Sequence, residues 1–301
     1  MSSPSLLVFG ATGQVARELR RVAPGTVFLS RKEADLTDPA ACAARIKKTR
    51  AHAVINAAAY TAVDRAEEEE TLATVINGTA PDVIAQTAAE LGLPFVHIST
   101  DYVFDGSGHQ PWREDDPTAP LNVYGRTKLA GEEAVRAAGG HHLIFRTAWV
   151  YAARGHNFIR TMLRLACERD ALKVINDQHS APTGAEFIAD ATAHAIRATM
   201  ANLDHCGTYH LTAAGETTWH GYAAYLLENA RELGYPLQVD SDALDPVTSD
   251  AFPTAAQRPQ NSRLDSTRLE KIFGLHRPDW RDGVVRTLRE MTLTGTGAFP
   301  Q

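Results

Sequence analysis

Over the first 150 positions, short apolar runs alternate with longer amphipathic stretches. Residues 6–9, 26–29, 53–56, 94–98 and 142–146 have the length and composition of buried strands. Helix-length segments lie between them, opening near Gly13, after Asp38-Pro39, from about Gly78 to Leu91, and from Val123 to Ala138. Asp38 reads as a helix cap with Pro39 at the first position. Asn77 reads as an N-cap, or as a residue that orders a water, with the cap the better fit. This alternation predicts an α/β fold, a Rossmann-type doubly wound parallel sheet.

Beyond residue 150 the alternation loosens. Helices are expected over 157–169, from a capping box at Thr183-Gly184-Ala185-Glu186 to Met200, over 219–233, and from Asp279-Trp280 through Glu290, with a strand over 207–211. The expected division is a dinucleotide-binding domain of residues 1–150 plus about 184–206, and a smaller C-terminal α/β substrate lobe of residues 151–183 and about 207–301.

Composition narrows the classes. The chain has 301 residues, 44% hydrophobic and 22% charged, with a net charge of −6. That suits a large globular unit and argues against nucleic acid as a partner, while leaving room for a local anion site. Cys42, Cys167 and Cys206 form no CxxC pair, and a reduced cytoplasmic setting is the simplest expectation. The first five residues carry no basic segment, and the apolar run after them is too short for a signal peptide. No window approaches about 18 uninterrupted apolar residues, so no membrane span is expected. The histidines show no HxxxH or HExxH spacing for zinc. The acidic run 67–70 reads as a solvated helix face.

Candidate chemistry gathers at strand ends. Gly10-Ala11-Thr12-Gly13-Gln14-Val15-Ala16 follows the first strand. Gly10 permits a tight turn, Gly13 permits close approach of a pyrophosphate, and the helix start offers free N–H groups. The spacing is G-x-x-G-x-x-A, which an ordinary strand–helix turn also satisfies. Ser30-Arg31-Lys32, after the second strand, suit either the 2′-phosphate of NADP or a solvated loop. In a nucleotide-binding reading Asp35 and Leu36 lie against the adenine, and the small residues Ala58 and Ala59, with Tyr60, leave room for a flat cofactor. Arg160 and Arg164 suit a diphosphate or, with better fit, a solvated face. Thr100 ends the fourth strand and is placed to bond a substrate carbonyl or tune a phenol; Ser99-Thr100-Asp101 alone is also a strand terminus with local capping. Tyr124 and Lys128 are four apart and share a helix face. The ammonium is expected to pull the phenol below its free value of about 10, giving an acid–base pair near working pH.

Ser99–Phe104 (STDYVF), 121–131 (LNVYGRTKLAG), 145–151 (FRTAWVY), 174–186 (VINDQHSAPTGAE) and Arg258-Pro259 with Asn261-Ser262-x-Leu264 add a more specific signal. With them the chain resembles the extended short-chain dehydrogenases/reductases. Within these it is similar to the dTDP-4-dehydrorhamnose reductases, nearly end to end. The resemblance implies reduction of a dTDP-4-dehydro-sugar by hydride from NADPH or NADH. Tyr124 would donate a proton to the C4 oxygen, Lys128 would bind the nicotinamide ribose and bias the phenol, and Thr100 would contact the sugar or tune that phenol. Gly13, Gln14 and Val15 would hold pyrophosphate, and Ala58, Ala59 and Tyr60 would border the cofactor. Thr100, Asp101 and Trp149 would lie near the sugar, and Arg258 would wall the nucleotide. Some relatives carry an acid where this chain has Ser30-Arg31, so the resemblance favours NADPH, in a family often tolerant of both. It also implies a magnesium ion between subunits of a homodimer, held by Glu18, Glu186 and Glu290; Glu186 equally serves as the capping-box acid. A similar scaffold occurs in non-catalytic regulatory subunits of the methionine adenosyltransferase β type, and in epimerases and 4,6-dehydratases. The dehydratases commonly have Asp-Glu after the threonine, whereas Asp101 here precedes Tyr102.

Overall fold

The structure, a computed structural model, describes residues 5–295. Expectations for Met1–Pro4 and for the last six residues lie outside the described residues. Six strands form one parallel sheet: β1 (Leu6–Phe9), β2 (Val27–Leu29), β3 (Ala53–Asn56), β4 (Phe95–Thr100), β5 (His142–Thr147) and β6 (Gly207–His210), in the spatial order β6-β5-β4-β3-β1-β2. The chain leaves β1 for β2 on one side and for β3 on the other. This reversal opens a crevice beyond the carboxyl ends of β1 and β3, where ligands of such sheets bind.

Strand pleating divides the apolar residues between two layers. On β1, Leu6 and Val8 face a core shared with the helices Gln14–Val22 and Ala185–Ala201, while Leu7 and Phe9 face the helices Pro39–Lys47 and Ala80–Glu90. Burial on both faces explains why these strands read as continuous apolar runs. A third core belongs to the smaller lobe, where Phe158–Glu168, Trp219–Glu232 and Trp280–Leu293 pack around Met162, Tyr222 and Trp280. The strands Leu172–Ile175 and Leu244–Val247 pair in parallel beside it. No helix of the described residues is long and apolar enough to cross a membrane.

Four local expectations are corrected. The expected boundary near 207 assigns the next strand to the smaller lobe, but Gly207–His210 pairs with β5 in the main sheet, and Leu269 and Phe273 pack on the same core. Asn77 is not an N-cap. It lies inside a π-helical turn, Val75–Thr79, that runs straight into Ala80–Glu90. Its carboxamide closes both polar groups of the Tyr60 backbone and reaches Thr127 Oγ1 at 3.1 Å. Thr183 does not form a capping box; its Oγ1 donates to the Ala181 carbonyl (3.0 Å), and Gly184 occupies the cap position without a side-chain bond. The acidic run is only partly solvated in function, because Glu67 accepts the Val123 N–H (2.8 Å) and Glu69 engages Tyr60 and Arg65.

The helix Val123–Ala137 is fastened most firmly. Asn122 caps it, accepting from Gly125 N at 2.8 Å. A side chain at Gly125 would run into the Tyr102 carbonyl, so glycine lets this helix press against the end of β4. Lower down, Glu132 is fully buried and bonded to Arg146 of β5 (2.7 Å) and Ser99 of β4 (2.6 Å). Burial pushes the Glu132 carboxyl up, but Arg146, Ser99 and Arg136 outweigh it and hold the group below the usual carboxylate range. Arg146→Leu strands that charge and should destabilise the fold by about 3–5 kcal/mol, whereas the double change with Glu132→Leu should recover much of the loss. Urea unfolding of the two variants checks this; equal destabilisation by both would refute it.

Candidate active site

A cleft of about 740 Å³ opens along the carboxyl edge of the sheet and extends to the smaller lobe. Its floor at one end is the turn after β1. Gly10 takes φ +101° there, and a Cβ would sit 3.0 Å from Ala58, so the turn needs glycine. Gly13 holds the cap position of Gln14–Val22 with no side-chain bond, leaving the first helical N–H groups to an anion. Among the residues expected for a cofactor, Gly10, Gly13, Gln14, Val15, Arg31, Asp35, Leu36, Ala58 and Ala59 all line the cleft. A dinucleotide therefore fits the donors and the shape present.

Two expected residues stand back from it. Ser30 lies outside the lining, and its N–H and hydroxyl are spent on Glu33 (2.8 and 2.7 Å). Tyr60 is also outside, its hydroxyl bonded to Glu69. Arg31 reaches the cleft with its Nε on Asp35 at 2.9 Å. Asp35 is held below the usual carboxylate range by the Thr37 N–H and by Arg31.

The chemistry-bearing groups converge at the other end. Thr100, Asp101, Tyr124, Lys128 and Trp149 all border the cleft. The expected pull on the Tyr124 phenol is not met. Burial pushes it up to about 12, with the Thr100 hydrogen bond opposing and the Asp101 charge adding. Lys128 does not offset this because its amine turns to the Ile98 carbonyl (2.7 Å) and to His97 Nε2 (3.1 Å). Burial draws that amine down to about 8, against the charge of Glu132. Tyr124 is thus a firmly protonated phenol, in edge contact with Tyr102 at 5.6 Å between ring centroids.

Asp101 is buried, with Oδ1 accepting from Thr100 Oγ1 at 3.0 Å; Oδ2 has Ser262 beside it but no bond of good geometry. Trp149 adopts φ +48°, a left-handed conformation that costs a bulky residue energy. It is held by a ring stack on Trp219, with centroids 3.6 Å apart and 15° between planes. Trp219 is a lining residue that the sequence did not announce, as are Tyr102, Thr147 and His156. Trp219 stands about 70 positions from Trp149 at a helix start, and nothing local signals their meeting.

Arg258 stands behind the cleft wall, against the lining residue Tyr102. It pairs with Asp64 (2.7 Å), whose other oxygen also accepts the Ala256 N–H, and so braces the loop around it. Arg160 bonds the Ala153 carbonyl (3.2 Å) and Arg164 pairs with Glu168, so neither reaches the anion end. Glu18, Glu186 and Glu290 do approach one another: burial and the Glu290 charge raise the Glu18 carboxyl, Arg21 opposing, and Glu186 adds further. Each has an arginine partner, Arg21 for Glu18 and Glu186, Arg286 for Glu186 and Arg154 for Glu290. Among the described residues no group of three or more acidic, histidine or cysteine side chains is arranged to hold a metal ion. Within one chain the set does not fit one.

Residues 4–293 match the family described as the RmlD substrate binding domain. The chain belongs to this family. A curated RmlD-family relative, dTDP-4-dehydrorhamnose reductase of Escherichia coli K12, is 50% identical over 297 residues, covering 96% of this chain and 99% of that one. Among solved structures, a dTDP-4-dehydrorhamnose reductase from Bacillus anthracis in complex with NADP superposes with a TM-score of 0.88 at 31% identity, covering 96% and 100% of the two chains. One from Clostridium acetobutylicum gives 0.86 at 32% identity, covering 96% and 99%.

The buried Asp101 carries a pH signature. Burial lifts its pKa from the ordinary 3.8 to about 6, against the opposing influence of the Ser262 hydroxyl beside it and of the Thr100 hydrogen bond. The folded value lies above the unfolded one, so its contribution to stability is complete below the unfolded value and is lost as pH rises through about 6. Asp101→Asn should flatten this part of the stability–pH curve in urea unfolding; a slope unchanged from the parent chain would contradict the assignment.

Proposed function

We propose that this RmlD-family oxidoreductase reduces the 4-keto group of dTDP-4-dehydro-6-deoxy-L-mannose to give dTDP-L-rhamnose, with NADPH as the hydride source. The observation that carries the reading is one cleft, in a chain half identical to a dTDP-4-dehydrorhamnose reductase, that joins the Gly10–Gly13 anion turn to the Thr100, Tyr124 and Lys128 cluster. NADPH, when bound, supplies the hydride.

The free N–H groups after Gly13 hold pyrophosphate, Asp35 and Leu36 border the adenine, and Arg31 is the cation for a 2′-phosphate. NADH is accommodated with one ion pair fewer. Thr100 and Asp101 orient the sugar, and the Trp149 ring gives its apolar face a platform. As negative charge grows on the C4 oxygen, Tyr124 gives it the phenolic proton; a phenol near 12 is fully protonated beforehand. Lys128 balances the tyrosinate until solvent restores the proton. The division of labour follows the cores: residues 5–150 and 184–206, with β6, hold the dinucleotide, and the remaining segments, anchored by the smaller lobe's core, hold the sugar nucleotide. A magnesium ion enters this reading only where a second copy of the chain adds oxygen donors beside Glu18, Glu186 and Glu290. Sedimentation with and without chelator tests that homodimer, and a monomer in both conditions would exclude it.

Tyr124→Phe should retain NADPH binding, read by fluorescence, and lose turnover by a factor of about 10² or more. Near-parental turnover would end the mechanism. Arg31→Ala should lower kcat/KM with NADPH about tenfold and leave NADH unaffected, the scale of one lost charge-assisted hydrogen bond. Equal losses with both cofactors would refute the assignment to the 2′-phosphate.

A further inference from the structure

In the middle of apolar β4 stands an imidazole that the mechanism above does not use. His97 is fully buried. Strand register makes Asn56 of β3 its neighbour, and His97 Nδ1 lies 3.4 Å from Asn56 Nδ2 while Nε2 lies 3.1 Å from Lys128 Nζ. Asn56 Oδ1 accepts the Ala58 N–H at 3.2 Å, and Ala58 lines the cleft. The amine is therefore tied, through imidazole and carboxamide, to the cofactor wall.

We propose that His97 is the positioning residue that sets the charge of Lys128, its Nε2–H donating to the amine. The inference rests on the reading of Lys128 as partner to Tyr124. A neutral imidazole carries one proton on either nitrogen, and burial together with the Lys128 charge keeps His97 neutral. When Nδ1 bears the proton, Nε2 accepts from an ammonium; when Nε2 bears it, Nε2 donates to a neutral amine. Because Asn56 Oδ1 is taken by the Ala58 N–H, Asn56 Nδ2 donates to His97 Nδ1, and the imidazole proton sits on Nε2, which donates to the Lys128 amine. The Ile98 carbonyl takes an N–H of Lys128 in either state (2.7 Å). Other ionisable groups around the amine are Tyr124 and Glu132 on its own helix, Asp101 just past β4, and Arg146 of β5. Arg146 is already committed to Glu132.

An ammonium has no lone pair to accept from Nε2–H. Removing the imidazole therefore harms the neutral amine more than the ammonium, and the Lys128 pKa rises. His97→Met and His97→Gln make a matched pair of similar shape, of which only Gln can accept or donate. The full chain, labelled with ¹³C at the lysine ε carbon, is titrated by NMR, with the Lys128 signal assigned by its loss in Lys128→Met. In His97→Met, Lys128 should titrate about one unit higher than in the parent chain. The alkaline limb of NADPH oxidation should move up with it. His97→Gln should restore both positions to within a few tenths of a unit. Unchanged or lowered titration in His97→Met overturns the proposal. So do equal shifts in both variants, or loss of fold in both, since either assigns the imidazole to packing. A parent chain that oxidised no NADPH with the keto-sugar would remove the proposed reaction and leave the NMR comparison standing.

Discussion

The ion pair of Glu132 and Arg146 is the constraint on which the rest of the site depends. Both side chains are almost wholly buried and 2.7 Å apart, with Ser99 supplying a further bond to the carboxylate. Replacing such a pair with apolar residues of similar size often stabilises a protein, so stability alone does not explain it. Its geometry does. The pair joins a helix to two strands at a single depth, and two turns toward the helix start the same helix presents Tyr124 to the end of β4. Asn122 at the cap and Glu67 on the first N–H fix the other end. The proposed transfer of a proton from this phenol to a carbonyl, which needs placement within a few tenths of an ångström, calls for a support of this kind.

The phenol is held neutral at rest while the amine stays charged at neutral pH. Burial outweighs the Thr100 hydrogen bond at Tyr124, lifting the phenol to about 12, and outweighs the Glu132 charge at Lys128, drawing the amine down to about 8. A desolvated cleft therefore keeps the proton on oxygen until charge develops on the substrate. Electrostatic help is then concentrated where it lowers the barrier rather than spent on the resting enzyme.

How much could be read from residue order follows from the range of each interaction. The parallel sheet, the glycine turn and the Asp38 cap are local or periodic, and they are found where the pattern puts them. Tyr124, Lys128 and Thr100 were legible as a set because strand ends in this fold face one crevice. What failed was set by partners distant in sequence. Asn77 is taken by the Tyr60 backbone, Arg258 by Asp64, and β6 by β5, and no window of residues contains these pairs. The sign of the Tyr124 shift depends on solvent exclusion, which spacing does not encode. His97 did leave a trace, a polar residue inside an apolar strand, but its meaning needed the amine beside it.

The turn after β1 has one further property. Gln14, the first residue of its helix, accepts from Asn157 Nδ2 at 2.8 Å, and Asn157 in turn caps Phe158–Glu168 in the smaller lobe. The anion cradle is consequently bilobal: one wall belongs to the sheet, and its alignment is checked by a side chain from across the cleft. Any rocking of one half against the other would be felt at the phosphates before it reached the sugar, so dinucleotide seating and lobe alignment are mechanically one event.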